Sequence, residues 1–106
     1  MEDCVFCKIV TGEIPSDKVK ETEDLIAVKD KNPEADIHFL IIPKKHVKDV
    51  TEVDNSLWVE IKKLGLELTK ERGINNFRLT TNAGEAARVH HMHMHLLAEV
   101  TVQRKI

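Results

Sequence analysis

Three histidines alternate with two methionines in the segment His91-Met92-His93-Met94-His95. Because successive side chains of a β-strand point to opposite faces, a strand here places the three imidazoles on one face and the methionines on the other. One histidine on its own is usually structural. Three in register favour chemistry, since a neutral imidazole is a nucleophile, a proton carrier and a metal ligand near neutral pH.

The spacing of these histidines bears on which chemistry they can perform. His91 and His95 are four residues apart, about 13 Å along an extended strand at roughly 3.3 Å per residue. Zinc lies only about 2.0 to 2.1 Å from a ligating nitrogen, so a straight strand cannot easily bring all three imidazoles to one ion. One of them can join ligands from elsewhere, which leaves the others for nucleophilic and acid–base work.

The two cysteines, Cys4 and Cys7, have C-x-x-C spacing, for which three interpretations stand. A redox pair of the thioredoxin kind should follow a strand within a βαβ unit, but only three residues precede Cys4. Two small buried residues are the second interpretation. We favour the third, in which the two thiolates form half of a tetrahedral zinc site.

Periodicity predicts the elements that must position these residues. Apolar residues at steps of 4, 3 and 4 predict an amphipathic helix over residues 54–73, capped by Asp54 or Thr51 and ended by Gly73. Branched or alternating apolar residues predict strands at 18–22, 24–30, 36–43, 75–82 and 90–100. The segment 4–15 suits one or two helical turns. Short connections and one long crossing helix predict an α+β domain with antiparallel pairing.

Composition and charge exclude several classes of protein. The chain has 106 residues, enough for a single domain spanning residues 1–106. Its 16 basic and 18 acidic residues leave a net charge of −2, so the positive field that tracks a nucleic-acid polymer is missing. The sequence shows neither a membrane-spanning apolar run nor a signal peptide. We therefore expect a soluble cytoplasmic protein, with no membrane partner, whose reducing surroundings keep both thiols free.

Three separated blocks resemble the histidine triad (HIT) family, in its Hint-type and bacterial branch. Residues 91–97 read as the signature His-φ-His-φ-His-φ-φ, where φ is apolar. Residues 4–15, CVFCKIVTGEIP, are similar to the family's N-terminal motif, and residues 38–46, HFLIIPKKH, to its central strand. The resemblance covers nearly the whole chain. It implies a five-stranded antiparallel sheet with one long helix and a short N-terminal helix, commonly as a homodimer.

The resemblance also implies roles for individual residues. His93 matches the nucleophile that attacks the α-phosphorus of a nucleotide, His95 the residue that hydrogen-bonds the phosphate, and His38 a supporting member of that network. Asp30 matches an acidic residue that holds the ribose hydroxyls, and Asn82 an amide near the phosphate. The apolar wall of the base pocket is matched by Val5, Phe6 and Ile9. Zinc-bearing relatives complete the cysteine pair with residues that match His46 and His91. From the residues alone, Asp30 also reads as a turn residue and the apolar trio as core.

One segment departs from the family pattern. Residues 82–91, NAGEAARVHH, are about two residues shorter than the phosphate-binding loop of relatives, and Ala86, Ala87 and Arg88 stand where small and hydroxyl residues are expected. Arg88 can replace the lost contacts with a bidentate grip on phosphate. A solvated Arg88 is an equal alternative.

These features predict a nucleotide hydrolase or transferase. By resemblance it acts on a nucleoside phosphoramidate or related nucleotidyl compound through a covalent nucleotidyl-histidine, with a purine nucleotide or nucleotide conjugate as its partner and zinc as a structural cofactor. One alternative is a zinc-stabilised nucleotide-binding or interaction module with little turnover. Another is a dinucleoside polyphosphate hydrolase.

Overall fold

The computed structural model describes residues 3–100, in which five strands form one antiparallel sheet flanked by two helices. The elements are α1 Val5–Thr11, β1 Lys18–Glu21, β2 Leu25–Lys29, β3 Ile37–Pro43, α2 Asn55–Glu71, β4 Phe77–Thr80 and β5 Met94–Ala98. Across the sheet the order is β1-β2-β3-β5-β4. The predicted α+β class, the five strands and both helices are confirmed.

The long helix begins where a carboxylate caps it. Asp54 accepts a hydrogen bond from the backbone N–H of Leu57 at 2.7 Å, which satisfies one of the donors that a helix start leaves free. Asp54 is therefore the cap, and Thr51 belongs instead to a 3₁₀ turn at Val50–Glu52. No helix within residues 3–100 is long and apolar enough to cross a membrane.

The two faces of the sheet carry separate apolar clusters. On one face, α2 packs its buried stripe of Ile61, Leu64 and Leu68 against the strands. Met92, Met94 and Leu96 belong to this cluster, so the methionines of the histidine segment do face the core. On the other face, α1 packs through Phe6 against the outward side chains of β2 and β3. The histidines of β3 and β5 share this second face with α1.

The last strand is shorter than predicted. It begins at Met94, whereas the sequence predicted a strand over residues 90–100. The segment before it bonds elsewhere, because the backbone N–H of Met92 donates to the carbonyl of Val47 at 2.6 Å, in the loop that follows β3. His91 and His93 therefore precede the regular strand. In the sheet itself, His95 is paired with Leu40 and His38 with Leu97, so two histidines become diagonal neighbours on adjacent strands.

Candidate active site

An open cleft of about 790 Å³ lies on the α1 face of the sheet. All nine residues predicted to act in catalysis or nucleotide binding line it: Val5, Phe6, Ile9, Asp30, His38, Asn82, Arg88, His93 and His95. They come from α1, from the loops after β2 and β4, from β3, from the segment just before β5 and from β5 itself. The fold thus gathers into one cleft side chains that are spread over most of the chain.

His93 is held in one tautomer by the backbone. Its Nδ1 lies 2.8 Å from the carbonyl oxygen of His91, and because a carbonyl only accepts, Nδ1 carries the proton of the neutral ring. The lone pair is then on Nε2. The imidazole is buried, and the ring of Phe6 meets it edge to face at a centroid distance of 4.8 Å. Packing and one hydrogen bond therefore fix both the orientation and the basic nitrogen of this residue.

His38 and His95 form what we call the imidazole relay, which begins at the backbone of Glu34. The N–H of Glu34 donates to Nδ1 of His38 at 3.1 Å, so neutral His38 carries its proton on Nε2. That Nε2 lies 2.9 Å from Nδ1 of His95 and donates to it. His95 in turn must carry its own proton on Nε2. The relay therefore presents an N–H donor on His95, beside the ring of His93 at a centroid distance of 5.0 Å.

Burial and neighbouring charges favour the neutral ring of His95. Burial lowers the pKa of His95, and His93 and His38 lower it further by repulsion between imidazolium charges. Asp30 opposes this effect, and its Oδ2 lies 3.4 Å from Nε2 of His38. The neutral donor form of His95 is thus the form that the site stabilises near pH 7.

The proposed nucleotide-binding residues occupy different depths of the cleft. Phe6 is buried and belongs to the apolar cluster, whereas Val5 at its side is exposed. Asp30 also accepts the backbone N–H of Asn32 at 2.8 Å, so it is a turn residue whose second oxygen faces the relay. Asn82 and Arg88 are exposed at the rim. A phosphate contact from Arg88 stays a prediction.

The four predicted metal ligands form a second group, the thiol–imidazole cluster, whose members are Cys4, Cys7, His46 and His91. One donor atom from each lies within 4.8 Å of the others. Sγ of Cys4 is 3.2 Å from Nδ1 of His91, and Sγ of Cys7 is 3.3 Å from Nδ1 of His46. Neighbouring sulfur and nitrogen ligands of a tetrahedral zinc ion lie about 3.5 Å apart, so the cluster has nearly the required dimensions.

The hydrogen bond of His91 to the backbone and the pKa of the Cys7 thiol also bear on whether the cluster suits a cation. Nε2 of His91 lies 2.7 Å from the carbonyl oxygen of Pro43, which places the proton there and leaves the lone pair of Nδ1 facing the thiols. Burial, together with the neighbouring Cys4, raises the pKa of the Cys7 thiol. A bound dication reverses this effect, because it stabilises the thiolate. The residues therefore fit a structural zinc ion.

Sequence reasoning missed some participants in this site. The backbone N–H of Glu34 fixes the tautomers of the relay, and no side-chain pattern marks it, since every residue except proline has such a group. Leu40 and Leu97 also line the cleft. Their positions could have been found, because Leu97 has the same parity as His93 and His95 along β5, and Leu40 the same parity as His38 along β3.

Comparison with known proteins bears on the family and the fold of this chain. Residues 3–105 match the family profile described as "Scavenger mRNA decapping enzyme C-term binding". The structure superimposes on a HIT family hydrolase from Clostridium thermocellum with a TM-score of 0.90 and 43% sequence identity, over 100% of this chain and 98% of that one. The chain belongs to the HIT family. A histidine triad protein from Clostridium difficile is also similar to this HIT protein, with a TM-score of 0.92, 34% identity, and coverage of 100% and 98% of the two chains.

Among curated relatives, a HIT-like protein of Methanocaldococcus jannaschii is 38% identical to this HIT protein over 99 residues, which are 89% of this chain and 77% of that protein. The adenosine 5'-monophosphoramidase of Schizosaccharomyces pombe is 36% identical over 96 residues, covering 89% of this chain and 72% of that enzyme.

Proposed function

We propose that this HIT protein is a nucleotide hydrolase that cleaves nucleoside phosphoramidates or related nucleotidyl compounds through a nucleotidyl-His93 intermediate. The observation that carries the proposal is the hydrogen bond from Nδ1 of His93 to the carbonyl of His91, which leaves a nucleophilic lone pair on a buried Nε2. The similarity to an adenosine 5'-monophosphoramidase supports the choice of substrate class.

In the proposed first step, Nε2 of His93 attacks the α-phosphorus of the bound nucleotide. A bond forms between this nitrogen and phosphorus while the bond to the leaving amine breaks, and the amine takes up its proton from water in the open cleft. The N–H of His95 donates to a phosphoryl oxygen as charge develops there, which is usually the dominant catalytic contribution. In the second step water attacks the same phosphorus, the bond between phosphorus and Nε2 breaks, and the proton lost by the water passes to solvent, which releases the nucleoside monophosphate and restores the neutral imidazole.

The walls of the cleft supply the remaining interactions. Phe6, Ile9 and Val5 offer an apolar wall for the base, and Asp30 offers a carboxylate for the ribose hydroxyls. Asn82 and Arg88 lie on the loop beside the phosphate position. Holding the phosphorus close to His93 converts the attack into an intramolecular step, which is a large part of the rate enhancement of such enzymes.

Mass spectrometry after mixing with adenosine 5'-phosphoramidate tests the proposal. We expect a transient protein species that is heavier by one adenylyl group, together with release of AMP. His93→Ala should abolish both, while AMP binding stays within about tenfold of the parent, because the change removes a transition-state role. His90→Ala is the matched control, since His90 is exposed and outside the cleft. Full turnover in His93→Ala would refute the mechanism.

The exposed rim of the cleft keeps a second candidate open. Because Asn82 and Arg88 are exposed, a module that binds nucleotides without efficient turnover also fits the site. Tight AMP binding with neither an adduct nor release of AMP from the phosphoramidate would favour that module. Faster cleavage of a dinucleoside polyphosphate than of the phosphoramidate would favour the polyphosphate hydrolase.

We also propose that the thiol–imidazole cluster holds one structural zinc ion. Such an ion would supply folding energy by linking the N-terminal segment to the loop after β3 and to the segment before β5. Val5 and Phe6 lie between the two cysteines, so the cluster also fixes one wall of the cleft. Zinc ligation needs both thiols reduced, as they are kept in a compartment such as the cytoplasm.

We further propose that two copies pair through α2 and β4. Trp58 and Leu66 of α2 and Phe77 of β4 are large apolar residues that remain 40%, 42% and 36% exposed. Trp58 shares a small hollow with Leu79, so the exposed helix surface continues onto the edge strand. Light scattering should give twice the chain mass for the parent and the single mass for Trp58→Glu. An unchanged mass for that variant would exclude this interface.

A further inference from the structure

Asp49 is a buried carboxylate with an extensive set of hydrogen bonds. The residue is 3% exposed. Its Oδ1 accepts the backbone N–H of Thr51 at 2.9 Å and also the hydroxyl of Thr51, while its Oδ2 accepts the backbone N–H of Gly84 at 3.3 Å. The hydroxyl of Thr51 above all, and these backbone groups, lower the pKa of Asp49. The carboxylate is therefore ionised at neutral pH and satisfied on both oxygens.

The contact with Gly84 reaches the loop that borders the cleft. Gly84 begins a 3₁₀ turn at Gly84–Ala86 and has a φ of +61°, a conformation that favours glycine. The first N–H groups of such a turn have no partner inside it, and Asp49 accepts this one. Asn82 and Ala86, on either side of Gly84, line the cleft, whereas Asp49 does not. The carboxylate thus holds the turn from behind.

The loop has a second attachment at its start. The hydroxyl of Thr81 donates to the carbonyl oxygen of His93 at 2.8 Å. Asp49 itself lies in the segment after β3 that supplies His46 to the thiol–imidazole cluster and the Val47 carbonyl to Met92. The loop is therefore tied at one point to the nucleophile's own backbone and at another to a segment fixed by several long-range contacts.

On the basis of the proposed nucleotide chemistry, we propose that Asp49 is a positioning residue for phosphate binding. It holds the Gly84–Ala86 turn so that the cleft side of the loop, with Asn82, Ala86 and Arg88, faces the phosphate of the nucleotide. A loop of only a few residues makes few contacts of its own, and a fixed attachment lowers the entropy that phosphate binding would otherwise lose. Asp49 acts through Gly84 and does not touch the substrate.

Titration calorimetry with AMP and with adenosine tests this role, because the ratio of the two dissociation constants isolates the contribution of the phosphate. In Asp49→Asn the single amide oxygen is held by the two donors of Thr51, so the amide NH2 faces the N–H of Gly84 and cannot accept from it, and Asp49→Ala accepts from neither residue. In both variants we expect AMP binding to weaken by about tenfold while adenosine binding stays unchanged, since a misplaced loop loses only the phosphate contacts. Unchanged adenosine binding also shows that the fold is intact.

Thr51→Val is the matched control. It removes the hydroxyl donor to Asp49 but keeps the contact with Gly84, so its preference for AMP over adenosine should equal that of the parent. If Asp49→Asn and Asp49→Ala keep the parent's preference, or if Thr51→Val loses as much, the positioning role is wrong and Asp49 only caps its own turn. A parent protein that prefers AMP no more than adenosine contradicts phosphate binding, and with it the proposed function and this role.

Discussion

The thiol–imidazole cluster and the group formed by Asp30 and the imidazole relay each gather at least three potential metal ligands within 4.8 Å. Both include a buried histidine, His91 in the first and His38 in the second. Ligand identity and distance would therefore suggest two metal sites. The two groups differ in the hydrogen bond that each buried imidazole makes through the ring nitrogen that points away from the other potential ligands.

The backbone group bonded to that nitrogen is an acceptor for His91 and a donor for His38. The carbonyl of Pro43 takes the proton of His91 on Nε2 and leaves Nδ1 free for a cation. The N–H of Glu34 occupies Nδ1 of His38, so Nε2 keeps its proton and donates to His95. Metal binding by Nε2 of His38 would move that proton to Nδ1, against another N–H group. The carbonyl of Pro43 thus leaves His91 able to bind a cation, and the N–H of Glu34 makes His38 a hydrogen-bond donor to His95.

The largest effect should come from removing the thiols. We expect about one zinc per chain in protein purified under reducing conditions with zinc present, and none in the Cys4→Ser, Cys7→Ser double variant. Because a structural zinc contributes several kcal/mol of folding free energy, the melting temperature of the variant should fall by more than about 10 °C. Elemental analysis and calorimetry check both values.

The zinc content of these proteins also tests whether only the thiol–imidazole cluster binds metal. Two zinc ions per parent chain would show that the relay also binds metal, and zinc retained by the double variant would show that the thiols are not ligands. His90→Ala, which changes an exposed histidine outside both groups, should retain the metal content and melting temperature of the parent.

A second, smaller effect should follow from breaking the relay. His38→Ala leaves His95 without the donor that fixes its tautomer, so we expect kcat/KM for adenosine 5'-phosphoramidate to fall by about 100-fold. Zinc content should not change. His46→Ala is the converse variant, which should lose zinc and stability. Loss of zinc in His38→Ala, or parental activity in that variant, would contradict the division between the two clusters.

The smallest expected effect is the pH dependence that His95 adds to stability. Its pKa in the folded protein lies below the ordinary value of 6.5, so the unfolded chain binds a proton first as the pH falls. The contribution of His95 to the free energy of unfolding is therefore fully present above pH 6.5 and decreases as the pH falls below that value. In zinc-loaded protein, His95→Asn should lose less stability than the parent between about pH 7 and pH 5.5. Urea unfolding at several pH values measures the difference. The same change of unfolding free energy with pH in the parent and the variant would contradict the prediction.

Most of the architecture followed from local pattern. The helix from Asn55 to Glu71 has its cap and apolar stripe in consecutive sequence, and branched or alternating apolar residues marked all five strands. The start of β5 was placed four residues too early, because the hydrogen bond of Met92 to Val47 joins segments that lie far apart in sequence. Alternation reports which face a side chain takes, but it does not report which partner its backbone meets.

By itself, the sequence determined the identity of the reactive groups and their parity along the strands: an imidazole row opposite methionines, and two thiols at x-x spacing. Only the tertiary structure decided how His91, His93 and His95 differ. His91 faces the thiols, His93 bonds to the backbone, and His95 accepts from His38. The reason is that an imidazole's chemistry depends on which of its two nitrogens holds the proton, and groups from distant segments, such as the carbonyl of Pro43 and the N–H of Glu34, set that choice.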